Sequence, residues 1–332
     1  MLLRKNLWIG CIFGFLWLIP IKNKAQSIVY EQNFNFLRLP THPQVAALGG
    51  VNISSPNNSV HQAFQQPALL NKNNHAEAGI SYTPFFAQTQ AFQLQYGFAA
   101  RKTQTWAIGI QYFDYGTMPE TDATGQIIGS FKASEYALQG SRTFQYQNFH
   151  FGLNVKLVGS QIANYQALGL ALDAGALFIH PEKDFSIGLV IKNAGFLFND
   201  YSPQASSRLP FDAHFGLSHK PQFMPIRFSV TLQNLFTQSS PSLGILENWG
   251  QKIIIGAEIL FHKAFQINIG YNQLRNEQLK TENGRRWAGF SIGCRIKARI
   301  GEFSYARAAY MGGVGQNWIG CWLYTQQIFQ KK

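Results

Sequence analysis

Asp212, His214 and Ser218 carry the side-chain types of an activated serine nucleophile, and all three fall within "DAHFGLS". That stretch alternates apolar and polar residues, so it is expected to be a strand with these three on one face. Residues two apart on a strand stand roughly 7 Å apart along it. A proton-transferring pair needs a hydrogen bond of roughly 3 Å. The trio therefore reads as polar lining rather than a catalytic triad. His150 and Lys156 read the same way. His42, His61 and His75 are spread through a loop-rich stretch without metal-ligand spacing. No HExxH or phosphate-binding loop is present, and the one GxSxG string, "GFSIG" (289–293), falls inside a segment that alternates as a strand. The chain is expected to be no enzyme and to use neither metal nor cofactor.

The elements that place these residues are set by a period of two. In "FHFGLNVKL" (149–157), Phe149, Phe151, Leu153, Val155 and Leu157 alternate with His150, Gly152, Asn154 and Lys156. Fourteen such segments are expected near 76–83, 90–99, 104–113, 134–144, 147–159, 165–179, 184–193, 210–219, 224–234, 251–261, 264–273, 286–297, 299–309 and 317–327. Most are long enough to cross a bilayer at a barrel's tilt, which takes about 9–11 residues. The connections after the even segments are short, such as "RKTQ" and "QYQN". Those after the third, seventh, ninth and eleventh are long: 114–133, 194–209, 236–250 and 274–285. Short turns on one side and long loops on the other mark an outer-membrane barrel. The fold class is therefore all-β: a closed antiparallel transmembrane β-barrel of about 14 strands. Closure removes the sheet edges that lipid would leave unsatisfied.

Composition agrees. Charged residues make up 13%, against roughly 25% in ordinary globular domains, while aromatics reach 14%. The opening "MLLRKNLWIGCIFGFLWLIPIKNKAQS" has a basic start, a short apolar run and a small residue at Ala25, the form of a signal peptide over 1–25. The formal charge is +12, and about +8 remains without Arg4, Lys5, Lys22 and Lys24. The charges are scattered, so the expected partners are anionic lipid or glycolipid head groups and not nucleic acid. Cys294 and Cys321 lie two strands apart, roughly 10 Å, too far for a disulfide.

Residues 26–75 are expected to form an N-terminal plug, and residues 76–332 the barrel. Pro40 and Pro43 forbid regular strand pairing there. "QVAALGG" can make one helical turn ending at Gly49 or Gly50, and "HQAFQQPALLN" another. A barrel of this size has a lumen too wide for its own side chains to fill. Gly97, Gly109, Gly152, Gly169, Gly175, Gly188, Gly216, Gly256, Gly270 and Gly293 all fall on the polar, lumenal parity. Glycine in a strand often marks the close approach of another backbone. Relief of crowding inside the barrel is the other reading, and both stay open here.

"FLRLPTHPQVAALGG" (36–50), then "QPALLN" (66–71), then amphipathic strands resembles the PorQ family of type IX secretion outer-membrane proteins. The similarity extends to "YFDYGTMPETDATGQIIGSFKASEYAL" (112–138), "YQALGLALDAGALF" (165–178) and "AGFSIG" (288–293). The wider group is the fatty-acid-transporter-like barrels of fourteen strands with an N-terminal hatch. Gln66-Pro67-Ala68 replaces its usual Asn-Pro-Ala. The resemblance implies that Phe36, Leu37, Leu39, Pro40, Ala46, Ala47, Leu48, Gly49 and Gly50, with Pro67, Ala68, Leu70 and Asn71, belong to the plug motif. It implies a non-enzymatic anchor at the outer membrane, holding a PorZ-like surface protein in an attachment complex with PorU and PorV homologues. That complex processes cargo and joins it to lipopolysaccharide. The four long loops are the expected docking elements. A channel for hydrophobic small molecules is the alternative.

Overall fold

The computed structural model describes residues 33–56, 59–101, 104–202, 205–236, 244–262, 264–279, 287–310 and 315–325. The expected signal peptide lies outside them. The strands are β1 (Glu77–Pro84), β2 (Gln90–Arg101), β3 (Gln104–Thr121), β4 (Ile127–Tyr146), β5 (Phe149–Ile162), β6 (Tyr165–Ile179) and β7 (Phe185–Asn199). They continue with β8 (Asp212–His219), β9 (Ile226–Leu232), β10 (Ile253–His262), β11 (Phe265–Asn272), β12 (Phe290–Lys297), β13 (Gly301–Ala309) and β14 (Gly315–Tyr324). Each pairs antiparallel with its sequence neighbour. The ring of fourteen closes where β1 meets β14, from Glu77 opposite Tyr324 to Tyr82 opposite Ile319.

The alternation fixes the register, because a one-residue slip would turn every apolar side chain inward. On β5, Phe149, Phe151, Leu153 and Val155 are exposed on the outer wall, whereas His150, Asn154 and Lys156 are buried inside. No helix among the described residues is long and apolar enough to cross a membrane. The crossing is made by strands.

Two stretches differ from the sequence expectation. Residues 114–133 are not a long loop. β3 and β4 continue past the wall as a paired ribbon, with a register shift between Asp114 and Thr117 that Gly116 accommodates at φ 74°. The ribbon ends in a turn over 122–126, where the Asp122 carboxylate accepts from the backbone N–H of Thr124 at 2.8 Å and Gln126 at 2.9 Å. Its residues are exposed on both faces, so period two carries no hydropathy signal there. Likewise β7 runs into the expected 194–209 loop. Asn193 takes φ 56°, the β6–β7 register shifts, and parity inverts, so that Phe196 and Phe198 face outward.

Among the described residues three short helices lie outside the wall strands: α1 (Pro43–Ala47), α2 (Ile245–Gln251) and α3 (Gln273–Gln278). α2 and α3 stand in the expected long loops 236–250 and 274–285, whose residues 237–243 and 280–285 lie outside the described set. α1 belongs to the segment inside the barrel. The hydrophobic core is therefore neither sheet on sheet nor helix on sheet. It forms between that segment and the inner wall. Phe34, Phe36 and Leu37 pack with Ala91, Phe113, Ala137 and Val158, and Val60, Ala63 and Leu70 pack with Ala107 and Trp322.

Candidate functional site: the plugged lumen

Residues 33–76 thread the lumen as a chain of short turns. Pro43 opens α1 at a position where its missing N–H costs nothing, and the helix ends at Gly49 and Gly50, with φ of 97° and 102°. Only glycine takes that conformation without strain. 3-10 turns follow at Val60–Phe64 and Pro67–Leu69. The Asn71 side chain caps the last one, Lys72–Asn74. Among the expected motif residues, Phe36, Leu37, Pro40, Ala46, Ala47, Leu48, Gly49, Gly50, Pro67, Ala68 and Leu70 are buried, and Leu39 and Asn71 are half-buried.

An irregular backbone inside a membrane protein needs partners for its polar groups. The wall supplies them from nearly every direction. Trp318 on β14 donates its indole N–H to the Pro40 carbonyl at 2.8 Å. Ser291 on β12 donates to Ala47 at 2.9 Å. Asn272, at the end of β11, and Arg275 on α3 donate to Gly49 at 2.9 and 3.1 Å. Ser186 on β7 donates to Ser54 at 2.7 Å, Asn154 on β5 to Ala63 at 2.8 Å, and Lys192 on β7 to Phe64 at 3.2 Å. Going the other way, Gln66 of the plug donates to the carbonyls of Ala176 and Leu189 at 3.2 and 2.9 Å.

The lumenal glycines mark where backbone meets backbone. A Cβ on Gly152 would stand 2.3 Å from the Ala68 nitrogen, and one on Gly270 would stand 2.2 Å from the Gly49 nitrogen. A Cβ on Gly188 would meet the Ile53 carbonyl at 2.3 Å, and one on Gly97 the Asn74 carbonyl at 2.3 Å. Gly109, Gly175, Gly216, Gly256 and Gly293 face plug side chains: Phe64, Gln66, Ile53, Leu48 and Ala47 respectively. Gly169 does not face the plug. Its Cβ space is taken by Leu197 of the neighbouring strand, which the parity inversion at Asn193 turns inward. Gly79 and Gly320 also serve the plug, facing His61 and Pro43. Neither glycine stood out in the sequence.

The trio on β8 is separated by its partners. The Asp212 carboxylate accepts from the backbone N–H of Ala213 and stands 4.0 Å from Arg38 of the plug. The His214 Nδ1 accepts from the Asn234 N–H at 3.3 Å, and the Ser218 hydroxyl bonds the Ser54 hydroxyl at 2.7 Å. Lys156 is fully buried in an ion pair with Asp173 at 2.6 Å and also donates to Asn193 at 3.1 Å. His75 accepts from the Ala99 N–H at 3.0 Å. His42 and His61, nineteen residues apart in sequence, come together with ring centroids at 5.0 Å, and both pack edge-on against Trp322 at 4.7 Å. Burial, with the nearby Arg295 charge, pushes His42 down to about 3. Burial and then His42 hold His61 well below the ordinary histidine value. Both rings are therefore neutral. No group of three potential metal ligands is present among the described residues.

The space beside the plug is uneven: a hollow of about 850 Å³ opens beside Pro56, lined by Arg227, Gln266, Arg295 and Glu302 among others. Where Arg38 faces Lys192, Asp212 and His214, the cavity is about 30 Å³, enough for one or two waters. The wall itself is interrupted on one side. β7–β8 pairing stops at Lys192 opposite Asp212, while β7 continues to Asn199. A cleft of about 740 Å³ lies in this gap, with Phe196, Phe198, Leu209 and Phe211 on its border.

No protein-family model matches this sequence, and no curated protein does. Solved structures do. A monoaromatic hydrocarbon channel, a TodX variant lacking S2 and S3, aligns with TM-score 0.53 and 11% identity over 86% of this chain and 98% of its own. The Pseudomonas putida toluene transporter TodX aligns with TM-score 0.50 and 12% identity over 86% and 97%. At such identities the likeness is one of fold. The chain is a closed fourteen-stranded barrel of the outer-membrane kind with a segment preceding the wall, and the proteins sharing that fold here are channels rather than enzymes.

Proposed function

We propose that this chain is a non-enzymatic outer-membrane barrel that anchors a PorZ-like surface protein in a type IX secretion attachment complex, with PorU and PorV homologues as further members. The observation that carries this reading is the seating of the plug. Its backbone is hydrogen-bonded to strands around most of the ring, and at the wall glycines plug and wall meet in direct contact. A plug so held suits a rigid anchor better than a conduit. The PorQ-like motif at 36–50 and 66–71 forms much of that plug. The surface ribbon of β3 and β4, and the loops bearing α2 and α3, are the elements on which a partner would dock.

A second reading is a channel for hydrophobic small molecules. The comparisons lean toward it, because the proteins sharing the fold carry such cargo. The cleft where β7 and β8 part gives it a physical basis, since apolar molecules enter more readily from lipid than through a polar lumen. In that reading Leu37 and Val51, beside the small cavity, form the barrier.

One experiment separates the two. The full chain is withdrawn from outer membranes in mild detergent, its companions are identified by mass spectrometry, and the purified barrel is titrated with toluene and a long-chain fatty acid. A stoichiometric large surface protein and no saturable ligand binding is the outcome expected of the anchor. A lone barrel with saturable binding, lost on filling the cleft by Ser206→Phe, would replace it with the channel.

A further inference from the structure

On the outer wall, at the long-loop end of β12 and β13, lies a hollow of about 600 Å³. Ile269, Trp287, Phe290, Ile292 and Tyr310 line it, and Trp287 is 73% exposed. Among the described residues one charged side chain lines it, that of Arg307. Arg307 is exposed and sits on the lipid-facing parity of β13 with Phe303 and Tyr305, in register with Ile292 on one side and Asn317 on the other. Among the described residues no carboxylate forms an ion pair with it. A cation on the lipid face of a barrel is unfavourable unless an anion meets it. The wall also makes room for it. A Cβ on Gly315, the next strand's residue at this level, would stand 2.5 Å from the Arg307 Nε, so the bare glycine lets the guanidinium lie across β14. The polar neighbours at this height, Tyr305 and Asn317, already bond each other at 2.8 Å.

We infer that this hollow holds one phosphorylated glycolipid of the outer leaflet. An acyl chain lies along Ile269, Phe290 and Ile292, and a phosphate takes the two-pronged guanidinium contact of Arg307. The long-loop end is the cell-surface end, and the exposed Trp287 stands at the level where aromatic side chains meet head groups. An uncompensated cation above an apolar slot at that level fits an acidic lipid and neither a neutral lipid nor a soluble anion. The inference rests on the outer-membrane placement of the barrel and not on the anchor role.

The test uses the full chain in nanodiscs of phosphatidylcholine doped with a bisphosphorylated diglucosamine lipid, its dephosphorylated form, or phosphatidylglycerol. Bound lipid is counted by native mass spectrometry. The expected result is one phosphorylated glycolipid retained roughly fivefold over its dephosphorylated form, the effect of about one interfacial cation. Arg307→Gln should abolish that preference, and Gly315→Ala should weaken it by displacing the guanidinium. Arg142→Gln, at a cation resting on Trp106 at the opposite rim, should leave it intact. Heat-modifiable mobility verifies that each variant is folded. Equal retention of the dephosphorylated form, a preference that survives Arg307→Gln, or equal retention of phosphatidylglycerol would each overturn the assignment.

Discussion

Trp318, on the last strand of the wall, gives its indole N–H to the carbonyl of Pro40 over 2.8 Å, and both residues are buried. A proline that cannot continue a strand is thus held by the strand that closes the ring. Trp318→Phe keeps the ring and orphans the carbonyl, which should cost about 1–3 kcal/mol. Heat-modifiable gel mobility should show a lower unfolding temperature with an intact barrel. An unchanged midpoint would mean that the bond contributes nothing.

Gly152 should tolerate no side chain. Valine there drives a Cβ into the Pro67–Ala68 peptide, which is backbone and cannot swing aside. Overpacking of this kind costs about 1–3 kcal/mol, and the strain should be relieved by unseating the plug. Cells carrying Gly152→Val should admit large antibiotics that the parent excludes. Gly140→Ala on the outer wall meets nothing within 4 Å and should change nothing.

The Lys156–Asp173 pair is buried on both sides. Asp173→Ala strands a buried ammonium, a loss of about 3–5 kcal/mol. Replacing both members, Lys156→Met with Asp173→Leu, should recover part of that, because the Asn154 amide and the Asn193 N–H also lose their acceptor. A double-mutant cycle on thermal midpoints reads the difference, and equal damage from single and double variants would contradict it.

Plug seating should depend on pH through His42 and His61. Both are held neutral when folded, His42 down to about 3, while in the unfolded chain they protonate near their ordinary value. The unfolded state therefore gains protons first. Stability is complete above about pH 6.5 and declines as pH falls toward 3, by up to about 1.4 kcal/mol per pH unit for each ring. Trp322 touches both rings. Protease accessibility of the plug between pH 8 and 4 should rise in the parent and stay flatter in His61→Phe.

How far the sequence reaches follows from where its signals come from. β6 was legible to the residue and β5 to within three residues, because one face meets lipid and the other a polar lumen. The β3–β4 ribbon was not, since past the wall both faces meet water and the alternation loses its meaning. The glycines on lumenal parity pointed to a close-packed interior. Gly169 escaped that logic because a single left-handed residue, Asn193, turns Leu197 into its space. The meeting of His42 and His61 had no local signature. It depends on two turns of the plug returning to the same patch of β14, and only closure of the chain in space decides that.

Ala76, where the plug becomes the wall, gives its carbonyl to both the backbone and the hydroxyl of Thr325, just past the end of β14. The ring is tied around its own beginning. In a finished hoop, threading from either mouth would drag Pro67 and Phe36 past rows of inward side chains. Order of assembly is therefore built into the shape: the first-made residues must already be gathered when the last strand arrives. A copy of the plug supplied as a separate peptide should remain outside a barrel that has shut without it.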